Sequence, residues 1–318
     1  MSFNSLNLHP DLIRAIDALD YAEATTVQLA AIPPAMAGKD VLATARTGSG
    51  KTVAYALPLL HRWATSQDKQ KPRCLILLPT RELAQQVAEV LEGLAKYLNR
   101  PKIVALYGGV SINPQLMMLR GGADFVVATP GRLLDVIEHN GLDLWHTTTM
   151  VLDEADRLLD QGFVEELDAV LCELPDSCQT LMFSATIAGK VEKFAKQLLN
   201  SPVLLRIEEP IDNIAQRAIE VDVSRRADLL LHLLAEYNNT RALVFCSIKV
   251  GAEALADQLS QAGLRAAALH GSLPQQQRDE VLEDLKLGLI DVLVATDLAA
   301  RGIDVDDLPL VFNYDLPR

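Results

Sequence analysis

The chain has 318 residues, 49% of them apolar, and a formal net charge of −13. That length exceeds one typical core and predicts two globular domains, and the even spread of apolar residues excludes a disordered chain. The acidic balance excludes binding of nucleic acid through an overall basic field, so such a ligand has to be held at local sites: backbone amides at helix N-termini and a few arginines. No apolar run approaches the roughly 20 residues of a membrane span. The start Met1-Ser2-Phe3-Asn4-Ser5 lacks the basic and apolar stretches of a signal peptide, so cytoplasmic residence without a membrane partner is the expectation. Cys74, Cys172, Cys178 and Cys246 show no C-x-x-C spacing and predict reduced thiols rather than a disulfide or zinc site.

In chain order, Phe3 to Leu19 carries helical spacing at Leu8, Leu12, Ile13, Ile16 and Leu19, with Pro10 and Asp11 suited to a first turn. Phe3 and the later Gln28 are candidates for reading an adenine, since an aromatic face stacks and a side-chain amide offers one donor and one acceptor. A core phenylalanine and a solvated helix glutamine fit the same spacing.

Next comes Ala43-Thr44-Ala45-Arg46-Thr47-Gly48-Ser49-Gly50-Lys51-Thr52, between the apolar pair Val41-Leu42 and the helix-like run Val53-Ala54-Tyr55-Ala56-Leu57. It reads as a nucleotide phosphate cradle. Small residues at Thr47, Gly48, Ser49 and Gly50 let backbone N–H groups converge on phosphate oxygens, Lys51 reaches the terminal phosphates, and the Thr52 hydroxyl is placed for magnesium. Ala45 stands where the strict G-x-x-x-x-G-K-[ST] pattern has its first glycine. An ordinary Gly-rich turn is the alternative.

From here short apolar runs alternate with helical patterns: Cys74 to Leu78, Ile103 to Leu106, Phe125 to Ala128, Met150 to Leu152 and Thr180 to Phe183. This βαβ rhythm predicts an α/β fold with a parallel sheet buried on both faces, and right-handed crossovers put the loops after the strands along one edge. Those loops hold Pro79-Thr80-Arg81-Glu82-Leu83, Gly108-Gly109, Thr129-Pro130-Gly131-Arg132, Asp153-Glu154-Ala155-Asp156 and Ser184-Ala185-Thr186. Asp153, directly after a strand, is placed to hold magnesium, and Glu154 to activate a water, with Lys51 completing the catalytic set. A solvated acidic turn capping the next helix is the other reading of that string.

The rhythm breaks at Glu208-Glu209-Pro210-Ile211-Asp212-Asn213 and restarts. The predicted organisation is a first domain over 1–207, with the adenine-reading segment at 3–28, a linker over 208–216 and a second α/β domain over 217–318. The second domain has apolar runs at 242–246, 266–269 and 292–295 flanking helical segments at 252–262 and 276–286. By periodicity alone, its polar residues read as caps and solvated charges. His270, with no carboxylate or cysteine partner to suggest a metal site, reads as structural.

Taken together, Ala45 through Thr52, Asp153-Glu154-Ala155-Asp156 and the other loop strings resemble, in order and across almost the whole chain, the DEAD-box ATP-dependent RNA helicases of superfamily 2, bacterial type. The resemblance accounts for Ala45. It implies two RecA-like domains of the P-loop NTPase fold, and a chain that binds ATP, magnesium and single-stranded RNA and couples ATP hydrolysis to local unwinding. It makes Phe3 and Gln28 an adenine-reading Q motif, although Ala24-Thr25-Thr26-Val27-Gln28 departs from the usual Pro-Thr-Pro-Ile-Gln. It places Thr80, Arg81, Gly109, Thr129, Gly131 and Arg132 along the RNA backbone and assigns Ser184 and Thr186 to interdomain coupling. In the second domain it assigns Gly271, Gln275, Arg278, Thr296 and Asp297 to RNA, and Gly302 and Asp304 to the nucleotide ribose.

The family continues with an arginine-rich motif VI beyond Arg318. The expectation is therefore an incomplete second domain, and a monomer that binds ATP but turns it over poorly, holding RNA by its backbone with little base specificity. An ATP-gated RNA clamp or assembly factor, and a DNA translocase, are the other function classes that fit.

Overall fold

Residues 2–66, 73–160, 162–187, 189–207, 215–238, 240–296 and 308–316 are described by a computed structural model of the chain. Contacts divide the chain into two compact units, residues 1–211 and 212–318. The expected linker lies mostly outside the described residues.

In the first unit the apolar runs become β1 (Val41–Thr44), β2 (Cys74–Leu77), β3 (Ile103–Leu106), β4 (Phe125–Ala128), β5 (Thr149–Leu152) and β6 (Gln179–Ser184), and a further strand is β7 (Val203–Arg206). They pair in the order β3-β4-β2-β5-β6-β1-β7, every pair parallel. The helices are α1 (Pro10–Ala18), α2 (Thr26–Met36), α3 (Lys51–Thr65), α4 (Arg81–Leu94), α5 (Ile112–Met118), α6 (Pro130–Glu138), α7 (Ala155–Asp160), α8 (Val164–Cys172) and α9 (Lys190–Leu198).

The period-2 pleat sorts each strand between two cores. Ala43, Ile76, Phe125, Val151 and Phe183 pack with Leu57 and Leu60 of α3 and Leu91 of α4. Their neighbours Leu42, Leu77, Val126, Met150 and Met182 pack on the opposite face with Leu133 of α6, Leu158 of α7 and Leu167 of α8. Burial on both faces is why the strands read as continuous apolar runs instead of alternating ones.

One polar network fixes the direction of α3. Near its C-terminal end Arg62 donates to the Thr149 hydroxyl at 2.9 Å, the Gln179 side-chain carbonyl at 2.7 Å and the Ala35 carbonyl at 2.7 Å. Burial pushes Arg62 below its ordinary pKa, and these acceptors offset that cost. Thr149 and Gln179 begin β5 and β6, so the last turns of α3 are tied to the N-terminal edge of the sheet. Its first residue, Lys51, sits at the other edge, where the strands end.

The opening segment differs from the continuous helix expected over 3–19. A 3-10 turn at Phe3–Leu6 is separated from α1 by Asn7, whose φ of 51° is left-handed. Asparagine tolerates that region, and Pro10 then starts α1 at a position that needs no amide hydrogen.

The second unit contains α10 (Arg226–Glu236), α11 (Lys249–Gln261) and α12 (Gln275–Lys286), with β8 (Ala242–Cys246), β9 (Ala266–Leu269), β10 (Val292–Thr296) and β11 (Leu310–Asn313). Its strands are parallel in the order β11-β8-β10-β9. Neither β7 nor β11 follows from the apolar-run pattern. Each ends its sheet among the described residues, buries alternate positions only partly, and leaves Leu204 and Val311 exposed.

Phe125 is fully buried on β4, and truncating such a side chain costs about 3–5 kcal/mol. Both tryptophans, Trp63 and Trp145, lie in the first unit. Phe125→Ala is therefore expected to move the urea midpoint of tryptophan fluorescence sharply downward, and an unchanged midpoint would show that the β4 core is not continuous.

Candidate functional site

The cradle follows from strand order. β1 lies beside β6, and past Thr44 the Ala45 amide donates to the Ser184 carbonyl at 3.1 Å, extending the pairing into the loop. Residues 46–48 are exposed, Ser49 is buried, and the Ser49 hydroxyl donates to the Arg46 carbonyl at 2.8 Å. Gly48 and Gly50 have φ of 83° and 88°, which side-chain-bearing residues rarely adopt. Space also requires glycine at 50, because an added Cβ would collide with the Gln28 amide.

Gln28 is buried at the start of α2. Its side-chain carbonyl accepts from the Thr25 amide at 2.9 Å, and its NH2 donates to the Gly50 carbonyl at 3.2 Å. In this structure Gln28 ties α2 to the cradle. Phe3 is 4% exposed and belongs to the core cluster that includes residues of α1 and α2.

Lys51 opens α3 and is 7% exposed, yet its Nζ has no hydrogen-bond partner. A buried, unpartnered ammonium is costly unless an anion meets it. Together with the free amides at the helix N-terminus, it fits a phosphate group. Thr52 is the next residue, partly buried.

Asp153 follows β5, one strand beyond β6, and is 5% exposed. Its Oδ1 accepts from the Glu154 amide at 2.8 Å and its Oδ2 from the Tyr55 hydroxyl at 2.9 Å. Burial raises its pKa above the ordinary value, while the Lys51 cation pulls it back. Tyr55 rises well above its own ordinary value, first by burial and then by the Asp153 charge, so it remains a donor. Glu154 holds a left-handed φ of 51°, an unfavourable conformation for a side-chain-bearing residue, as found where function constrains the backbone. Burial raises its pKa too, and its Oε2 faces Arg157 Nε at 3.4 Å. Among the described residues no group of three or more His, Cys, Asp or Glu could hold a metal. A magnesium ion here would therefore take phosphate oxygens and water beside Thr52 and Asp153, a donor set that suits it.

The loops after β5 and β6 are joined. Ser184, fully buried, donates to the Thr186 carbonyl at 2.7 Å, and the Thr186 hydroxyl donates to Asp156 at 3.3 Å. A second group sits on the adjacent strands β3, β4 and β2. Thr80 caps α4 by accepting from the Leu83 amide at 3.4 Å, and Arg81 pairs with Glu82 at 3.0 Å. Gly109 has a φ of 82°, and a Cβ there would collide with the Arg81 guanidinium. Thr129 is the N-cap residue of α6 and Gly131 lies in its first turn with open space around it. Arg132, after β4, donates to the Val110 carbonyl at 2.8 Å, and the Arg81 guanidinium, after β2, lies against Gly109 of the same β3 loop.

In the second unit Gly271 follows β9, Gln275 starts α12 and donates to Asp279 at 2.6 Å, Arg278 is buried, and Thr296 ends β10. Asp297, Gly302 and Asp304 lie outside the described residues. His270 has a carboxylate neighbour that the sequence did not reveal: its Nε2 lies 2.8 Å from Glu253 Oε1, on α11.

Residues 25–194 match the family described as DEAD/DEAH box helicase, and residues 225–318 the helicase conserved C-terminal domain. The chain belongs to the DEAD/DEAH box helicase family. Within that family it is 40% identical to the ATP-dependent RNA helicase DeaD of Haemophilus influenzae, covering 100% of this chain and 52% of that protein. It is 38% identical to the DEAD-box ATP-dependent RNA helicase CshA of Bacillus cereus, covering 100% of this chain and 60% of that protein. The chain thus spans about half to three-fifths of the length of these helicases. Among solved structures, S. cerevisiae Dbp5 bound to RNA and ADP BeF3 matches at a TM-score of 0.84 and 30% identity, covering 99% of this chain and 81% of that one.

Two further residues of this helicase-family chain act at the loops without standing in the loop strings. Tyr55 falls in an apolar helical run and was indistinguishable from core. Gln115, 3% exposed on α5, is bonded to both the amide and carbonyl of Tyr107, at 3.2 and 3.1 Å, and so latches the β3 loop. A glutamine in an amphipathic helix carries no signal of that role. Gly50→Ala is expected to displace Gln28 and to lower the thermal midpoint of the first unit by several degrees, whereas a variant melting with the parent would show that the cradle has another conformation.

Proposed function

We propose that this chain is the two-domain core of an ATP-dependent RNA helicase that binds Mg-ATP at the cradle. The observation that carries the reading is the buried Lys51 ammonium, without a hydrogen-bond partner, at the start of α3 and on the same sheet edge as the Asp153 carboxylate. Lys51 and the α3 amides bind and orient the terminal phosphates, and Gln28 holds the cradle from α2. Thr52 and Asp153 would hold magnesium, which when bound neutralises phosphate charge. Glu154 is the general base for the attacking water, and its burial-raised pKa makes it a stronger proton acceptor near neutral pH. Gly302 and Asp304 are proposed at the ribose. Thr186, bonded to Asp156, links the loop after β6 to the acidic string, consistent with a role for Ser184 and Thr186 in coupling hydrolysis to interdomain movement.

For RNA, the supporting observations are the family membership, the names of the relatives and the RNA-bound state of the Dbp5 structure. Thr80, Arg81, Gly109, Thr129, Gly131 and Arg132 offer helix N-terminal amides and arginines at adjoining loops, a surface suited to phosphates and not to base edges. Gly271, Gln275, Arg278, Thr296 and Asp297 are proposed to extend this contact on the second unit. Such local sites reconcile RNA binding with the net charge of −13.

The test is ATP hydrolysis with and without single-stranded RNA. RNA-stimulated turnover that Lys51→Ala lowers by about 100-fold or more is the expected result, and equal stimulation by DNA would replace the RNA reading with that of a DNA translocase. ATP binding and RNA retention without duplex separation would indicate a clamp.

Asp153 and Glu154 must be ionised to act, and both are raised above their ordinary values by burial. As pH falls they are protonated earlier than exposed carboxylates. The acid limb of kcat/KM for ATP should therefore lie above the ordinary carboxylate range, and a limb within that range would show that neither group limits the reaction. Gly109→Ala is expected to push Arg81 aside and to weaken RNA binding by about 10-fold while leaving ATP affinity unchanged, as read by fluorescence anisotropy of labelled strands.

A further inference from the structure

Tyr55 is fully buried one turn into α3, its ring 5.3 Å from that of Phe183 on β6 at an interplanar angle of 57°. A phenylalanine would serve that packing equally well. The hydroxyl is therefore what requires explanation, since a buried phenol is retained without cost only where it finds a partner. It finds Asp153 Oδ2 at 2.9 Å, and the Thr52 hydroxyl also interacts with it.

The helical repeat makes this arrangement specific. Lys51, Thr52 and Tyr55 stand at i, i+1 and i+4, so Tyr55 shares its face of the first turn with both. One turn of α3 thus carries the phosphate lysine, a hydroxyl for the metal and a donor aimed at the carboxylate across β6. With the Glu154 amide on Oδ1 and the Tyr55 hydroxyl on Oδ2, each oxygen of Asp153 is held by one donor and keeps lone pairs for another ligand. Groups that orient a metal-binding side chain in this way commonly set its affinity.

We infer that Tyr55 is a positioning residue for the divalent-metal site: its hydroxyl fixes the Asp153 carboxylate in register with Thr52, so that magnesium meets a preformed pair of ligands. The inference rests on the Mg-ATP reading above. Without the hydroxyl, Asp153 Oδ2 loses this donor, and the carboxylate is left oriented by the Glu154 amide on Oδ1.

The experiment is a magnesium titration of the 318-residue chain and its Tyr55→Phe variant, followed by binding of a fluorescent ADP analogue. The ring and its contact with Phe183 are kept, so thermal melting without ligand should stay close to that of the parent. Affinity for the analogue in EDTA should also match within about twofold, because the hydroxyl faces Asp153 and not the cradle amides. The magnesium concentration giving half of the metal-dependent gain in affinity should rise about 10-fold in the variant. An unchanged magnesium midpoint overturns the inference. So does a loss of EDTA affinity equal to the loss in magnesium, which would mark Tyr55 as a structural residue of the cradle. Should Tyr55→Phe melt early, the comparison passes to Asp153→Asn in both backgrounds: effects of the two substitutions on the magnesium midpoint that simply add would overturn the inference. Absence of any magnesium-dependent binding in the parent would instead overturn the Mg-ATP reading itself, and this inference with it.

Discussion

A wholly parallel sheet covered by helices on both faces has one edge at which its post-strand loops can collect, and the first unit places its chemistry there. The constraint is covalent as well as steric: each parallel pair needs a crossover, and each crossover sends the next loop to the same edge. Strand order then divides that edge. The run β5-β6-β1 brings the acidic string, Ser184 and the cradle side by side, and β3-β4-β2 brings Arg81, Gly109 and Arg132 together. Arg62, held at the opposite edge by the first residues of β5 and β6, sets the polarity of α3 and hence the position of Lys51.

The site stores unfavourable terms that the surrounding core supports. Lys51 is buried without a hydrogen-bond partner, Asp153 and Glu154 are pushed toward their neutral forms by burial, and Glu154 sits in a left-handed conformation. Each destabilises the protein as it stands, and on the proposed Mg-ATP reading a polyanion and a cation would offset the charge terms. The β3 loop shows the opposite economy. Arg132, Gln115 and the packing of Arg81 against Gly109 hold it in one conformation, which would lower the ordering cost of the proposed strand binding.

What was legible in the sequence depended on the range of the interaction. Six of the seven strands in the first sheet were read as apolar runs because burial on both faces leaves few polar positions, and the loop strings were read because cradle chemistry is local. The edge strands β7 and β11 were missed, since half-exposed strands lose that signature. The helix expected over 3–19 broke at Asn7, where a left-handed residue ends a periodicity that continues on either side.

The sequence by itself determined the α/β class, the order of the loops and the residue types at the cradle and acidic string, because these follow from short-range periodicity and backbone chemistry. Only the tertiary structure decided which loops are neighbours, and that Gln28 ties α2 to Gly50, that Phe3 is core, that Glu253 faces His270 and that Tyr55 holds Asp153. The physical reason is separation along the chain. A hydrogen bond between Tyr55 and Asp153 spans 98 residues, and nothing in either local pattern distinguishes the phenol that makes it from a ring that merely packs.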